Sequence, residues 1–448
     1  MESLPIGRLL TFALSGLPVS AASVAVFVYL PPYFSGHLGV SMALIGAVWM
    51  LIRFVDIPVD VGLALAMDRT QSRWGRYRPW ALASAPLLAV AFWMLFRAPA
   101  HFGGAYLAIW LIVFYLGQSM SSLSTSAWGA TLASAYHERS RLFAVQTAVG
   151  IGGAVVVLFV PVIGHGLGLS DAANVEAMGI AMAIAAPIAI LLSVLLTPEP
   201  RRSWGTAPEA AIPWRDVLAV LTKPDLLRLF LSQTCLTLGP GWMSALYIFY
   251  FTQDRGFSLQ QASVLLAIYI LAGVPGALIA AALARRIGKH RTLMLSTTGF
   301  SLGLFSVFVI PKADMWLGAP FMTWSGAMAS SFGLMIGAML ADLGDEVRLE
   351  QGRERMSLVY ALNGLAGKIA AALSIGLSLP LLQALGFNPA EGAHNSPEAL
   401  LRLSWAFLAG PVVFVMLGGA CVIGWRMDAQ RQGEIRRQLD AREREAVA

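Results

Sequence analysis

Arg53, Asp56 and Asp60 stand three and four residues apart inside one of the most apolar stretches of the chain, MALIGAVWMLIRFVDIPVDVGLALAM. Residues so spaced share one face of a helix. One cation and two carboxylates on that face sum to a charge of −1 when all are ionised. A single charge at the centre of a bilayer costs about 2.5–3.5 kcal/mol even on a lenient insertion scale. A stripe of three therefore has to face the interior of a helix bundle or a water-filled cavity. Its missing positive charge suits a monovalent cation or a proton. Pro58 has no N–H, so the Phe54 carbonyl loses its helical donor beside the two carboxylates, and hard oxygens of this kind suit Na+. The plainer alternative is that Arg53 neutralises one aspartate and the other pairs with a neighbouring helix. A second charge, Lys368, lies in SLVYALNGLAGKIAAALSIGLSL, too deep to reach a surface by stretching its stem. A buried lysine with no partner loses its proton. Its expected partners are the carboxylates of the earlier stretch, directly or through water, or a substrate.

What positions these charges is a membrane bundle. The chain has 448 residues, 57% hydrophobic and 12% charged, with mean hydropathy +0.69, too little polar surface for a soluble globule. Runs long enough to cross a ~30 Å hydrocarbon core fall near 8–34, 40–66, 79–98, 103–135, 143–167 and 174–197. A second set falls near 226–252, 258–284, 292–310, 315–343, 356–385 and 400–426. The reading is an all-α membrane protein with twelve transmembrane helices in two six-helix bundles. The alternating ten-residue segments of a β-barrel are missing, and the first apolar run is too long for a cleaved signal peptide. Residues 1–200 are expected to form the first bundle and 226–427 the second. Between them lies a connection, 201–225, rich in Pro, Arg and small residues. The tail, 428–448, is charged and Gln-rich and reads as a solvated helix or disordered end with no assigned function.

Basic residues crowd into alternate loops: DRTQSRWGRYRP (68–79), HERSR (137–141), RRIGKHR (285–291), RLEQGRER (348–355) and the tail. The positive-inside rule places both termini and the middle connection in the cytoplasm, with the chain multi-pass in the cell (inner) membrane. The net charge of +6 is thereby a topology signal and calls for no nucleic-acid partner. Cys235 and Cys421 both fall in apolar spans and read as packing residues rather than a disulfide framework. No H-E-x-x-H, G-x-S-x-G or phosphate loop occurs, so an enzyme is not expected. A receptor or scaffold would have no need of midplane charges in both halves. The expected partners are a small-molecule substrate and the bilayer, with no cofactor beyond the coupling ion, and the chain is expected to be a monomer.

After the second span comes GLALAMDRTQSRWGRYR, from Gly62; after the eighth comes GALIAAALARRIGKHR, from Gly276. A glycine, an apolar turn and an arginine-rich loop recur, as in the parallel repeats of major facilitator transporters. The block RFVDIPVDVGLALAMDRTQSRWGRYRPW (53–80) resembles the second-helix signature of the glycoside–pentoside–hexuronide:cation symporter family, the melibiose permease group within that superfamily. ADLGDEVRLEQGRER (341–355) is similar to the acidic loop before its eleventh helix, and Lys368 falls where the family keeps a lysine. The resemblance covers essentially the whole chain and is most specific in the helix-two block. It implies the major facilitator fold and cation-coupled symport driven by Na+ or H+. It further implies Asp56 and Asp60 as cation carboxylates, Ser121 as the cation-site hydroxyl and Trp128 as the sugar-stacking aromatic in SSLSTSAWGA (121–130).

The chain departs from that pattern where the family binds sugar. Ser20 stands in place of an aspartate in helix one, Ser124 in place of a second in helix four, and Gln146 or Thr147 in place of an arginine in helix five. Val61 follows Asp60 where the family keeps a proline. A hydrogen bond from a charged group is worth about 1.5–3 kcal/mol, so losing two such carboxylates changes substrate recognition while leaving coupling intact. Ser20, Ser124, Thr125, Trp128, Tyr360 and Asn363 are the uncharged candidates for lining a substrate cavity; packing between membrane helices is the alternative for each. Asp68, Arg139, Arg141, Asp342, Asp345 and Arg353 are the candidates for ion pairs closing the cytoplasmic side, with lipid-headgroup anchoring of the basic loops as the alternative. The reading that follows is cation-coupled symport of a glycoside or sugar-like solute by alternating access. A lysolipid or other amphiphile carrier of the same fold is the alternative, and a non-transporting sensor a weaker one.

Overall fold

The computed structural model describes residues 5–132, 136–199, 222–308, 311–351, 356–427, 430–435 and 437–439. Twelve long helices run through them in the order the apolar runs predict. The first six are α1 (Ile6–His37), α2 (Met42–Arg69), α3 (Arg78–Phe96), α4 (Gly104–Leu132), α5 (Tyr136–Gly166) and α6 (Asp171–Leu196). The second six are α7 (Pro224–Phe249, continued by a wider turn over Tyr250–Asp254), α8 (Leu259–Ile287), α9 (Lys289–Phe305), α10 (Met315–Gln351), α11 (Met356–Ala384) and α12 (Pro397–Ala420). Among the described residues, ten helices are long and apolar enough to cross a membrane.

Local chemistry sets the ends. Ser41 caps α2 by accepting the Leu44 N–H at 3.4 Å, and Ser170 caps α6 by accepting that of Ala173 at 3.3 Å. Gly288, at φ 93°, takes a left-handed turn that a side chain would resist and separates α8 from α9 in one residue.

A repeat stronger than the one expected at Gly62 and Gly276 lies elsewhere. YFSGHLGVS (33–41) closes α1 and YFTQDRGFS (250–258) closes α7. Both end in a wide π-turn, both then turn at a glycine, Gly39 (φ 70°) and Gly256 (φ 68°), and both finish on a serine that caps the next helix. Even the bridging bonds correspond: the Val40 N–H donates to Phe34 O and the Phe257 N–H to Phe251 O, each at 2.9 Å. The Gly62–Gly276 echo does not carry into packing. A Cβ on Gly62 would meet open space, whereas one on Gly276 would come within 2.5 Å of the Ala327 backbone.

The described residues form two compact units, which cut across the helices. One comprises the described parts of Met1–Glu209, Ser244–Ala267 and Ile375–Ser404. Within it α3 packs between α4 and α6, α1 lies along α5, and α2 lies on α4. At the end of this unit remote from the arginine-rich loops, segments from both halves of the sequence are stitched together. Tyr29 and Ser263 share a buried hydroxyl–hydroxyl bond of 2.7 Å. Gln383 accepts from Ser41 Oγ (2.9 Å) and from the Ala43 N–H (2.7 Å). Gly46 lies so close to Pro380 that a Cβ would approach its ring to 2.7 Å. At the rim, His37 Nδ1 lies 3.1 Å from Glu391 Oε2.

The other unit comprises the described parts of Ala210–Met243, Ile268–Ser374 and Trp405–Ala448. Here α9 packs on α10, and Ser232 and Trp242 of α7 donate to the Gly418 and Ala406 carbonyls of the α12 segment. Residues 430–435 and 437–439 are helical, with Ile435 and Leu439 buried, and the Gln432 amide donates to Asp342.

Among the described glycines of the second unit, the closest approach is that of Gly326 on α10 to α8. A Cβ on Gly326 would lie 2.0 Å from the Tyr269 carbonyl oxygen, where only backbone could move. Overpacking of a close-packed site costs about 1–3 kcal/mol and more where backbone must shift. Gly326→Val should therefore lower the melting temperature of the purified protein sharply or abolish its monodisperse peak in size-exclusion chromatography. Gly62→Val, which meets open space, should leave both unchanged.

Candidate functional site

Trp49, Arg53, Asp56 and Asp60 follow one another along α2 at steps of four, three and four residues, one continuous stripe. Trp49, fully buried, donates from Nε1 to the Tyr115 hydroxyl of α4 at 2.7 Å. The Tyr115 ring in turn lies 4.6 Å from the Arg53 guanidinium carbon, and the Phe27 ring of α1 lies 6.0 Å from it. Arg53 Nη1 reaches Asp56 Oδ2 at 3.0 Å. On the other carboxylate oxygen, Ser119 Oγ donates to Oδ1, also at 3.0 Å. Asp56 is 4% exposed, and a carboxylate so buried is tolerable only with such partners. The aromatic faces add cation–π attraction, up to about 2 kcal/mol where water is excluded. Asp60 follows one turn further along α2, half-buried, with Pro58 inside the helix between the two aspartates.

A hydroxyl on Asp56 is thus that of Ser119, two positions before Ser121, the residue to which the family resemblance points. Ser121 is 1% exposed and its Oγ has no hydrogen-bond partner among the described residues. The spacing held a clue: Tyr115 and Ser119 are four apart on α4, as Trp49 and Arg53 are on α2. What it lacked was the rotation of α4 about its axis, which decides whether position 119 or 121 meets α2.

Ser121 belongs to a second face of α4 that also carries Gln118, Thr125 and Trp128, at helical steps. Gln118 Oε1, Ser121 Oγ, Thr125 Oγ1 and Trp128 Nε1 are all buried atoms with no hydrogen-bond partner among the described residues. Buried polar atoms are nearly always satisfied, and each exception asks for an explanation. Ser124 donates to its own helix, at the Ser121 carbonyl. Trp128 is fully buried with its ring 5.2 Å from Phe12 at a near-perpendicular angle, so no open stacking plane is presented here. Ser20 faces α5, where its Oγ sits 2.5 Å from the position of a Cβ on Gly150.

Lys368 and Asn363 lie half-buried on α11 in the second unit, where Asn363 Oδ1 is another buried atom without a hydrogen-bond partner among the described residues. Tyr360, 45% exposed, donates to the Gly337 carbonyl at 3.4 Å.

Of the expected gate residues, Asp342 is buried and held within its own unit, by Lys289 Nζ at 2.6 Å and by the tail's Gln432. Asp345 is half-buried nearby. Asp68 is exposed and pairs loosely with Arg76 at 3.8 Å, and Arg141 is exposed. The side chain of Arg139 and the whole of Arg353 lie outside the described residues. A cavity of about 410 Å³ opens at the stitched end of the first unit, among Tyr29, Tyr33, Asp171, Gln253 and Glu391, apart from the α2 stripe.

The geometry sets an order of importance between two serines. Ser119→Ala deletes a hydrogen bond to a charged acceptor, worth about 1.5–3 kcal/mol, and should raise the cation concentration for half-maximal uptake about ten-fold or more. Ser121→Ala should shift it less. Cation titrations of uptake in proteoliposomes check the order, and a larger effect at Ser121 would hand the role back to that residue.

The sequence model of the family described as MFS/sugar transport protein matches residues 11–428. The chain is 22% identical to an isoprimeverose transporter of Lactiplantibacillus pentosus, over 95% of this chain and 89% of that one. It is also 22% identical to the sodium-dependent lysophosphatidylcholine symporter 1-B of Danio rerio, over 97% of this chain and 90% of that one. Among solved structures it resembles a variant of the nucleoside transporter NupG, with a TM-score of 0.71 at 13% identity, over 92% of this chain and 98% of that one.

Proposed function

The chain belongs to the MFS/sugar transport protein family, and from that premise we propose that it is a cation-coupled symporter of a small, uncharged, hydroxyl-rich solute such as a glycoside. It works by alternating access in the cell (inner) membrane, with both termini in the cytoplasm. The observation that carries this reading is the α2–α4 shell: a buried aspartate balanced by Arg53 and Ser119, with a second aspartate one turn away. A structural ion pair needs one carboxylate, and the second adds a seat for a coupling ion.

In this mechanism Asp56 is held by Arg53 and Asp60 receives the incoming cation. The ion draws on the Asp56 carboxylate as well, and competes with the guanidinium for it. Arg53 can loosen without losing all stabilisation, because Tyr115 and Phe27 offer it aromatic faces. Lys368 on α11 is the cross-half charge partner of these carboxylates, and Na+ is the proposed ion, with H+ as the alternative. The solute contacts the α4 face of Ser121, Ser124, Thr125 and Trp128, where the unsatisfied buried atoms of Ser121, Thr125 and Trp128 support the assignment, together with Ser20, Tyr360 and Asn363. Asp68, Arg139, Arg141, Asp342, Asp345 and Arg353 close the cytoplasmic side. The isoprimeverose relative supports a sugar-like solute. The lysophosphatidylcholine relative, which matches a larger share of this chain, supports a second reading as an amphiphile carrier.

Asp56→Asn and Asp60→Asn should each abolish concentrative uptake while leaving a folded protein. If both variants still concentrate solute, the cation site lies elsewhere. Counterflow in proteoliposomes with a panel of glycosides and a lysolipid separates the two substrate readings. Transport without Na+, accompanied by alkalinisation of a weakly buffered medium, would decide for H+.

Lys368→Ala tests the charge partnership. If Lys368 balances the carboxylates, its loss leaves buried acid without its counter-charge, and concentrative uptake should fail while the protein still folds. A further Asp60→Asn change should then add little. Strictly additive effects would move Lys368 to the substrate site.

A further inference from the structure

A groove of about 610 Å³ runs along the first unit between α3 and α6 and shares no lining residue with the α2 stripe. Its walls are almost wholly apolar and unusually low in bulk. Pro79, Ala83, Pro86 and Ala89 line it from α3, and Pro187 and Leu191 from α6. Its mouth is edged by Ser72 and Trp74, in the arginine-rich loop that joins α2 to α3. Pro79 to Ala89 spans ten residues of helix, about 15 Å at 1.5 Å per residue. That is about half of a ~30 Å hydrocarbon core, the depth of one leaflet.

The mouth is a fixed structure. The Glu199 carboxylate accepts the backbone N–H groups of Arg76, Tyr77 and Arg78 at 2.9, 3.1 and 3.2 Å. The Arg78 guanidinium donates to the Val194 carbonyl, tying the start of α3 to the end of α6. Three further arginines, Arg69, Arg73 and Arg76, are exposed around it. Of the two described acids there, Glu199 is taken up by those amides, and Asp68 stands 3.8 Å from Arg76. Arg73 lies over the Trp74 ring at 5.9 Å, and that ring is 48% exposed. An apolar slot one leaflet deep thus ends at an interfacial tryptophan, a serine hydroxyl and a net cationic rim. Tryptophan prefers the headgroup level, and each basic residue near an anionic leaflet gains about 1 kcal/mol.

We propose that this groove is a binding site for an anionic phospholipid of the cytoplasmic leaflet, one acyl chain lying between α3 and α6 and the phosphate held by Arg73 and Ser72. The chain fits where proline and alanine leave room. The headgroup is chosen by charge complementarity, since the rim carries arginines and its acids are engaged. A lipid held there bridges α3, α6 and the α2–α3 loop.

Native mass spectrometry of the full chain, titrated in detergent with phosphatidylglycerol and phosphatidylcholine of identical acyl chains, tests this. The wild-type protein should retain phosphatidylglycerol several-fold more than phosphatidylcholine. Arg73→Gln should erase the preference between the two. Ala83→Phe, at an exposed position in the groove wall, should reduce retention of both. Melting temperatures of the two variants should stay near the wild-type value, since neither side chain is buried. Equal retention of the two lipids by the wild-type protein would overturn the headgroup assignment. Wild-type lipid retention in Ala83→Phe, or a protein dimer that this change dissolves, would overturn the groove as a lipid site.

Discussion

The Asp56 carboxylate is the constraint around which the first unit is arranged. A buried charge inside a membrane bundle survives only if neighbouring groups replace water on every side. Arg53 supplies the opposite charge and Ser119 the remaining hydrogen bond. The arginine then has to be held as well, which falls to the Tyr115 and Phe27 rings. Tyr115 is itself oriented by Trp49, one turn back along α2. One buried carboxylate thus fixes the faces that α1, α2 and α4 turn toward one another, and small hydroxyl residues on α4 allow the close approach.

Much of this was legible in the sequence because charges in apolar runs are conspicuous. The stripe of Arg53, Asp56 and Asp60, the number and order of the helices and the basic loops all follow from hydropathy and spacing. Ser119 was not legible, because serines at 119, 121, 122 and 124 differ only in which way α4 is rotated, and packing alone sets that. The repeat of YFSGHLGVS in YFTQDRGFS was visible in the letters but weak as a pattern. Its force comes from wide turns and left-handed glycines that hydropathy does not report. The tail read as solvated because its composition is charged. Two apolar side chains four apart, Ile435 and Leu439, are enough to dock it.

The face proposed for the substrate shows the opposite balance. Where carboxylates are absent at positions 20 and 124, the α4 face presents hydroxyl, amide and indole groups. Such groups recognise a neutral solute through hydrogen bonds without imposing a charge on it. In the proposed mechanism, coupling and recognition occupy adjacent faces of one helix, Tyr115 and Ser119 toward α2, Gln118, Ser121, Thr125 and Trp128 on the other. Small rotations of α4 would link occupancy of one face to the shape of the other.

The stitched end of the first unit has an electrical consequence. Its buried closure consists of a hydroxyl–hydroxyl bond between Tyr29 and Ser263, amide contacts at Gln383 and the approach of Gly46 to Pro380, all without net charge. A field of 100 mV does about 2.3 kcal/mol of work on each elementary charge moved across the membrane, and on this closure it does essentially none. His37 and Glu391 meet at the exposed rim, with Nδ1 3.1 Å from Oε2. In the proposed mechanism the membrane potential would work on the charges of the α2 stripe and the ion bound there rather than on these neutral contacts, which makes voltage a property of the loaded site rather than of the stitched end.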